Sequence, residues 1–208
     1  MRLLERPKQL LRSILTRVLY YPYALRYRMR GYEPPRLHVG CGANRFPGWV
    51  NADIDPGAEL IIFLQRRLPV GSGTLSRLYT EHVLEHVPYA TAVFFLREAR
   101  RALRQDGVLR IAMPDLDDLI DGYQHDWKRF DWVSWPDYAF LKTRAEMLNI
   151  AFRWWGHQHL YNREELERAL REAGFTKISF PAHGMSEHPD LRGLETRADS
   201  KLIAEAVK

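Results

Sequence analysis

Residues 37–56 read LHVGCGANRFPGWVNADIDP, and the fold turns on how this stretch is parsed. After the Glu33-Pro34-Pro35 break, the short apolar run Arg36–Val39 leads straight into Gly40-Cys41-Gly42. A strand that ends in a tight Gly-x-Gly turn leaves backbone without side chains, where a ligand can approach closely. Trp49–Ile54 is a second β-like run. It carries an acid at its end, Asp53, where a carboxylate can accept both hydroxyls of a ribose. The dinucleotide-binding fingerprint is not met, because Arg45 stands where a third glycine belongs. Asn44 to Gly48 is also too short for a full helix between the two runs.

Working outward, strands and helices alternate. Glu59–Leu64 and Leu75–Thr80 read as further short strands. Ala90–Arg104 places Val93, Phe94, Leu96, Ala99, Ala102 and Leu103 at helical spacing with arginines between them. Gln105-Asp106-Gly107 stops that helix, and Val108–Met113 is the next strand, closed by Pro114. Asn162–Ala173 has an N-cap Asn, acids in its first turn and Gly174 after its end, so it reads as a helix. Phe175–Phe180 and Lys201–Val207 follow as strands. This rhythm predicts an α/β fold with a mostly parallel sheet. Two stretches interrupt it: residues 115–158, which hold five of the six tryptophans and read as a helical insertion, and the irregular His183–Ser200.

Composition narrows the class. The chain has 208 residues, 46% hydrophobic and 27% charged, ordinary for a soluble globular domain. A single cysteine, Cys41, excludes an internal disulfide framework, so a reducing cytoplasm is the expected location. No secretory leader or membrane-spanning run is read in the sequence. The net charge of +5 is local. Nine basic residues against Glu5 and Glu33 give +7 over residues 1–36, and the remaining 172 residues sum to −2. The body therefore offers no nucleic-acid footprint.

A second stretch, YTEHVLEHVPY at 79–89, contains H-x-x-E-H: His82, Glu85 and His86. That pattern matches a zinc-peptidase motif, which needs a stable helix through both histidines and a third ligand downstream. Pro88 leaves only a short turn after His86, and nothing in the sequence selects Glu146 or Glu164 as that ligand. No metal is expected on this reading.

Taken together, LHVGCGANRFPGWVNADIDP, RLPVGSGTLSRLYTEHVLEHVP, LREARRALRQDGVLRIAMPDL and HQHLYNREELERALREAGF resemble the Rossmann-like S-adenosylmethionine-dependent methyltransferases. The likeness covers about residues 34–208 and points to small bacterial members associated with cell-surface saccharides. It implies a seven-stranded, mostly parallel sheet with flanking helices, S-adenosyl-L-methionine as cofactor, and a methyl acceptor bearing a hydroxyl or amine on a small molecule or saccharide. By the resemblance, Gly40, Cys41 and Gly42 approach the methionine part and Asp53 holds the ribose. Ile54 and Leu64 then sandwich the adenine, and Thr80 sits beside the sulfonium. The histidines His82, His86, His157 and His159 are the candidate general bases, with His82 and His159 preferred. His38, Phe63 and Ser76 stand where many relatives carry acids, and a non-catalytic descendant of the same fold is the alternative these departures motivate.

The first 33 residues lie outside the resemblance. Leu10, Leu11, Ile14, Leu15, Val18 and Leu19 form one helical stripe, continued by a basic, aromatic segment to Arg30. Such a segment suits packing on the domain or lidding the cofactor, or peripheral contact of residues 8–30 with the inner membrane face, each cation adding about 1 kcal/mol on anionic lipid. Tyrosines interleaved with arginines can also track a phosphate backbone.

Overall fold

The structure is a computed structural model and describes residues 35–208; the N-terminal stripe lies outside them. One sheet holds β1 Arg36–Val39, β2 Val50–Asp53, β3 Leu60–Ile61, β4 Leu75–Glu81, β5 Leu103–Met113, β6 Lys177–Ser179 and β7 Leu202–Val207. Their spatial order is β3-β2-β1-β4-β5-β7-β6. β1 to β5 run parallel, and β7 alone is reversed, pairing antiparallel with both β5 and β6. Chain order changes direction between β1 and β4, and in an open α/β sheet that switch point opens a crevice at the carboxyl ends of the strands. The predicted α/β fold and seven-stranded sheet are what is observed.

Boundaries differ from the sequence reading where the pairing is one-sided or the backbone bends. β3 is only Leu60–Ile61, because this edge strand pairs only with β2. β5 begins earlier than expected, at Leu103. Asp106 takes a positive φ of 58°, and the pairing with β4 shifts register between Leu75 and Arg77. The strand thus runs through an irregularity that the sequence suggested as a stop.

The two faces of the sheet are unlike. One is apolar: Leu37, Val39, Leu78, Leu109, Ile111, Ala204 and Ala206 join the main core. This core includes residues of α1 Tyr89–Ala102 and α4 Arg163–Glu172. α1 buries Ala92, Val93, Phe95, Leu96, Ala99 and Ala102. Phe95, not Phe94, faces inward, and a buried Phe of this kind contributes about 1.5–3 kcal/mol. Asn162 caps α4 by accepting from the Glu165 N–H, as its sequence predicts.

The opposite face carries a polar row, Asn51–His38–Tyr79–Arg110–Glu205, each paired with the next across neighbouring strands and all buried. Phe46, Trp49, Leu191 and Leu194 close over it, so among the described residues loops cover this side. Arg110 holds the covering loop down. Its Nη1 donates to Glu205 Oε1 at 2.5 Å and to Met185 O at 2.9 Å, and its Nε donates to Glu195 Oε1 at 2.7 Å.

Residues 115–158 are helical. They comprise α2 Leu116–Gln124, capped by Asp115, a series of short 3-10 turns, and α3 Arg144–Asn149, which opens with a Thr143/Glu146 capping box and continues into a π turn at Ile150–Trp154. Trp132, Tyr138, Leu141, Met147 and Ile150 form a small core of their own. No helix among the described residues is long and apolar enough to cross a membrane.

Candidate functional site

At the carboxyl end of β1 the chain turns through Gly40 and Gly42, both at positive φ (75° and 50°). The Gly40 and Cys41 N–H groups donate to Ala52 O at 2.8 and 3.1 Å, locking the turn against β2. A Cβ on Gly40 would lie 2.1 Å from Val83 Cγ2, so this position admits only glycine; at Gly42 a Cβ would enter open space. Asp53, at the end of β2, accepts from the Gly42 N–H (2.8 Å) and the Asp55 N–H (3.0 Å), one on each oxygen. Each oxygen retains a further acceptor position for a ligand hydroxyl.

The remaining predicted cofactor residues fall around the same strand ends. Ile54 stands 56% exposed just beyond β2, an unusual setting for an isoleucine that a planar apolar ligand would satisfy. Leu64 packs in the main core. Thr80 pairs with Val39 across β1 and β4 and is buried, yet its Oγ1 lacks a hydrogen-bond partner among the described residues. Cys41 is buried, and burial pushes its thiol up, so it packs as a protonated side chain. Open space above a glycine turn, an exposed isoleucine and an orphaned hydroxyl are consistent with a bound nucleoside bearing a charged tail.

The three departures resolve differently. Ser76 sits at the opposite end of β4, where its hydroxyl donates to Pro35 O, and takes no part in this site. Phe63 is buried with Arg66 over its ring. His38 belongs to the polar row, stacked on Phe46 at 4.2 Å.

Beyond β4 lies a cleft of about 990 Å³, lined by His82, His86, Pro114 and Asp115 from the sheet edge, by residues of the helical insertion, and by Thr196–Asp199 with Lys201. The insertion presents an aromatic wall of Phe130, Trp132, Trp135, Tyr138 and Trp155. Asp118, Arg129 and Asp131 stand beside it. Asp118 and Arg129 are paired at 2.6 Å.

Glu81, the last residue of β4, positions the Thr196–Ser200 wall. Its carboxylate accepts from the Thr196 N–H and hydroxyl, the Arg197 N–H and the Ser200 hydroxyl, at 2.6–3.2 Å. Burial opposes its ionisation, but these donors outweigh burial and hold the carboxyl below its usual range.

The zinc-peptidase reading of His82–His86 fails on geometry. His82 has a positive φ of 51°, and the helical stretch is a single 3-10 turn, Leu84–His86, so no helix carries both histidines. Instead, His82 Nδ1 lies 3.2 Å from the buried Glu85 Oε1, and its Nε2 lies 3.1 Å from Ser200 Oγ. For Glu85, burial alone would raise the carboxyl; the neighbouring His82 and His86 reverse that and hold it low.

His159 is absent from the cleft lining. Its Nε2 meets Glu165 Oε1 at 2.9 Å, and its ring packs on Tyr89 and Tyr161. His157, two residues earlier, does line the cleft, with burial lowering its pKa. Sequence reasoning named the aromatic and acidic insertion but not its role as a wall. It also missed Glu81 and Thr196, for which the late LRGLETR stretch was the available signal.

A family model described as a methyltransferase domain matches residues 37–179, more than half of the chain. Among solved structures, a SAM-dependent methyltransferase from Archaeoglobus fulgidus superposes with a TM-score of 0.52 at 12% identity, covering 96% of this chain and 94% of that one. One from Thermotoga maritima gives a TM-score of 0.50 at 15% identity, covering 97% and 95%. At these identities the likeness shows the fold. A search of the curated proteins gives no match.

Proposed function

Because the chain belongs to the methyltransferase-domain family, as an enzyme that uses S-adenosyl-L-methionine, we propose that it methylates a hydroxyl of a small saccharide-like acceptor held in the aromatic cleft. The observation that carries this reading is the lining of that cleft. The exposed indole of Trp135, on a wall backed by Trp132 and Tyr138, suits the C–H face of a sugar ring, while Asp115, Asp118, Arg129 and Asp131 suit its hydroxyls. The exposure of Trp135, at 53%, fits a stacking platform.

Bound S-adenosylmethionine supplies an already activated methyl group, so the chain's task is alignment and exclusion of water. Gly40, Cys41 and Gly42 give the cofactor close backbone approach, Asp53 takes its ribose hydroxyls, Ile54 flanks its adenine with the core residue Leu64 beneath that side, and Thr80 meets its sulfonium end. His82 takes the acceptor's proton. Glu85 beside Nδ1 steadies the imidazolium that forms, and the acceptor hydroxyl takes the place of Ser200 Oγ beside Nε2, which faces the Ser200 and Asp199 wall. His159, tied to Glu165 and the ring of Tyr89, serves this arrangement by packing.

The test is incubation with methyl-labelled S-adenosylmethionine and a panel of free saccharides, glycosides and amines of similar size. Label is expected on saccharide hydroxyls. Trp135→Ala is expected to raise KM, and His82→Gln to lower kcat by roughly 10²–10⁴-fold. Label confined to amines, or transfer indifferent to both substitutions, overturns the reading.

A further inference from the structure

At the inner edge of this cleft, which His86 and His157 line with the buried Glu85 behind them, two distant segments of chain bring three metal-ligating side chains together. Glu85, His86 and His157 each offer a ligand atom, and these atoms all lie within 4.8 Å of one another. The arrangement is built. The Gln158 and His159 N–H groups donate to Glu85 O at 2.7 and 3.2 Å, and Gln158 Nε2 donates to His86 O at 2.7 Å. The turn after β4 and the segment after the π turn are therefore fixed against each other.

Glu85 is the anomaly. It is 1% exposed, and both carboxylate oxygens lack a hydrogen-bond partner among the described residues. A carboxylate sealed from water without donors is costly unless positive charge meets it. His82 Nδ1 approaches Oε1 at 3.2 Å, and His86 Nε2 stands 3.9 Å from that same oxygen. That second distance is too long for a hydrogen bond. It is close to the separation of about 3.4 Å between two ligand atoms on one tetrahedral zinc, given metal–ligand distances near 2.0–2.1 Å. His157 is prepared for the same role: its Nδ1 lies 2.6 Å from Ala151 O, so the N–H donates there and the lone pair falls on Nε2. Metal-binding histidines are held by this kind of hydrogen bond.

We propose that Glu85, His86 and His157 bind one divalent transition-metal ion of the zinc class. Two imidazole nitrogens and one carboxylate favour zinc or cobalt over magnesium or calcium, which prefer all-oxygen sets. Three protein ligands leave coordination positions open to oxygens of a molecule in the cleft, as in catalytic and not structural zinc sites. His82, whose Nδ1 stands 3.2 Å from Glu85 Oε1, then steadies the carboxylate. That the ion would hold acceptor hydroxyls beside the methyl donor rests on the methyltransferase reading above; its binding to the protein does not.

The test uses full-length protein freed of any affinity tag, titrated with Co²⁺ and with Zn²⁺ by calorimetry and visible absorption. Titration with S-adenosylhomocysteine runs alongside as an independent check of fold. We expect one Co²⁺ per chain with a visible ligand-field band, displaced by Zn²⁺. His86→Ala and His157→Ala should each weaken binding at least about tenfold while S-adenosylhomocysteine still binds. Glu85→Gln should do the same. His125→Ala, an exposed histidine outside the cleft, should bind as wild type. Folded wild type that takes up neither ion overturns the proposal, as does binding unchanged in both histidine variants. If amines prove to be the acceptors while Co²⁺ still binds through these residues, the saccharide reading fails and the metal site stands.

Discussion

His38 shows how one side chain sets a pH limit for the whole domain. It is 3% exposed, stacked on Phe46 and tilted against Tyr79, with Nδ1 unpartnered among the described residues. Burial, against weaker pull from Asn51, Glu81 and Asp53, lowers its pKa to about 4. In the unfolded chain the same imidazole takes a proton near pH 6.5, while the folded one refuses it until about pH 4. Between those values the unfolded state binds more protons, so stability falls as pH falls through that window, by about 3 kcal/mol in full. Urea midpoints measured from pH 7 to 4 should decline accordingly, and His38→Gln should flatten the slope. Sequence alone marked His38 as a missing acid because it could not say which face of β1 the residue occupies. Register settles that, and register comes from pairing with Asn51 and Tyr79. His157 and His159 illustrate the same gap. No hydrophobic period runs through GHQHLY to say which imidazole enters the cleft.

Among the described elements, the loop between β6 and β7 is what Arg110 fastens over the polar face of the sheet. Arg110 is 0% exposed, and it joins Glu195 of the loop to Glu205 of β7. Removing one member of a buried ion triad strands the others, so Arg110→Met should cost about 3–5 kcal/mol, read as a lower urea midpoint. The triple change Arg110→Met, Glu195→Gln, Glu205→Gln should recover part of that loss, because no uncompensated charge remains. The strands and main helices were legible from period and punctuation: β1 and β2 from the glycine turn and Asp53, α4 from Asn162 and Gly174. The loop's anchoring was not, since Arg110 in a strand reads simply as an exposed polar position. Only the pairing Tyr79–Arg110–Glu205 places it inside.

For the molecule as a whole, the sheet order decides where chemistry is possible, and the irregular parts decide what is bound there. The glycine turn and Asp53 could be read directly, since each needs only its neighbours in sequence; the cleft could not, because its walls come from β4, the insertion and the late loop. The reversed β7 also bears on synthesis. It lies between β5 and β6, so β6 reaches the sheet only through a strand made after it. As the chain emerges from a ribosome, Arg110 therefore waits for Glu195 and Glu205 before its charge is matched, and the half-finished domain carries an open edge at β5 throughout. Chains stalled at residue 180 should be digested rapidly by protease and held by chaperones, whereas full-length chains released from the ribosome should resist. Comparable resistance in both would mean that the sheet closes without its last strand. On this account the domain matures only once β7 is available, in one late step, and not progressively from its first strand.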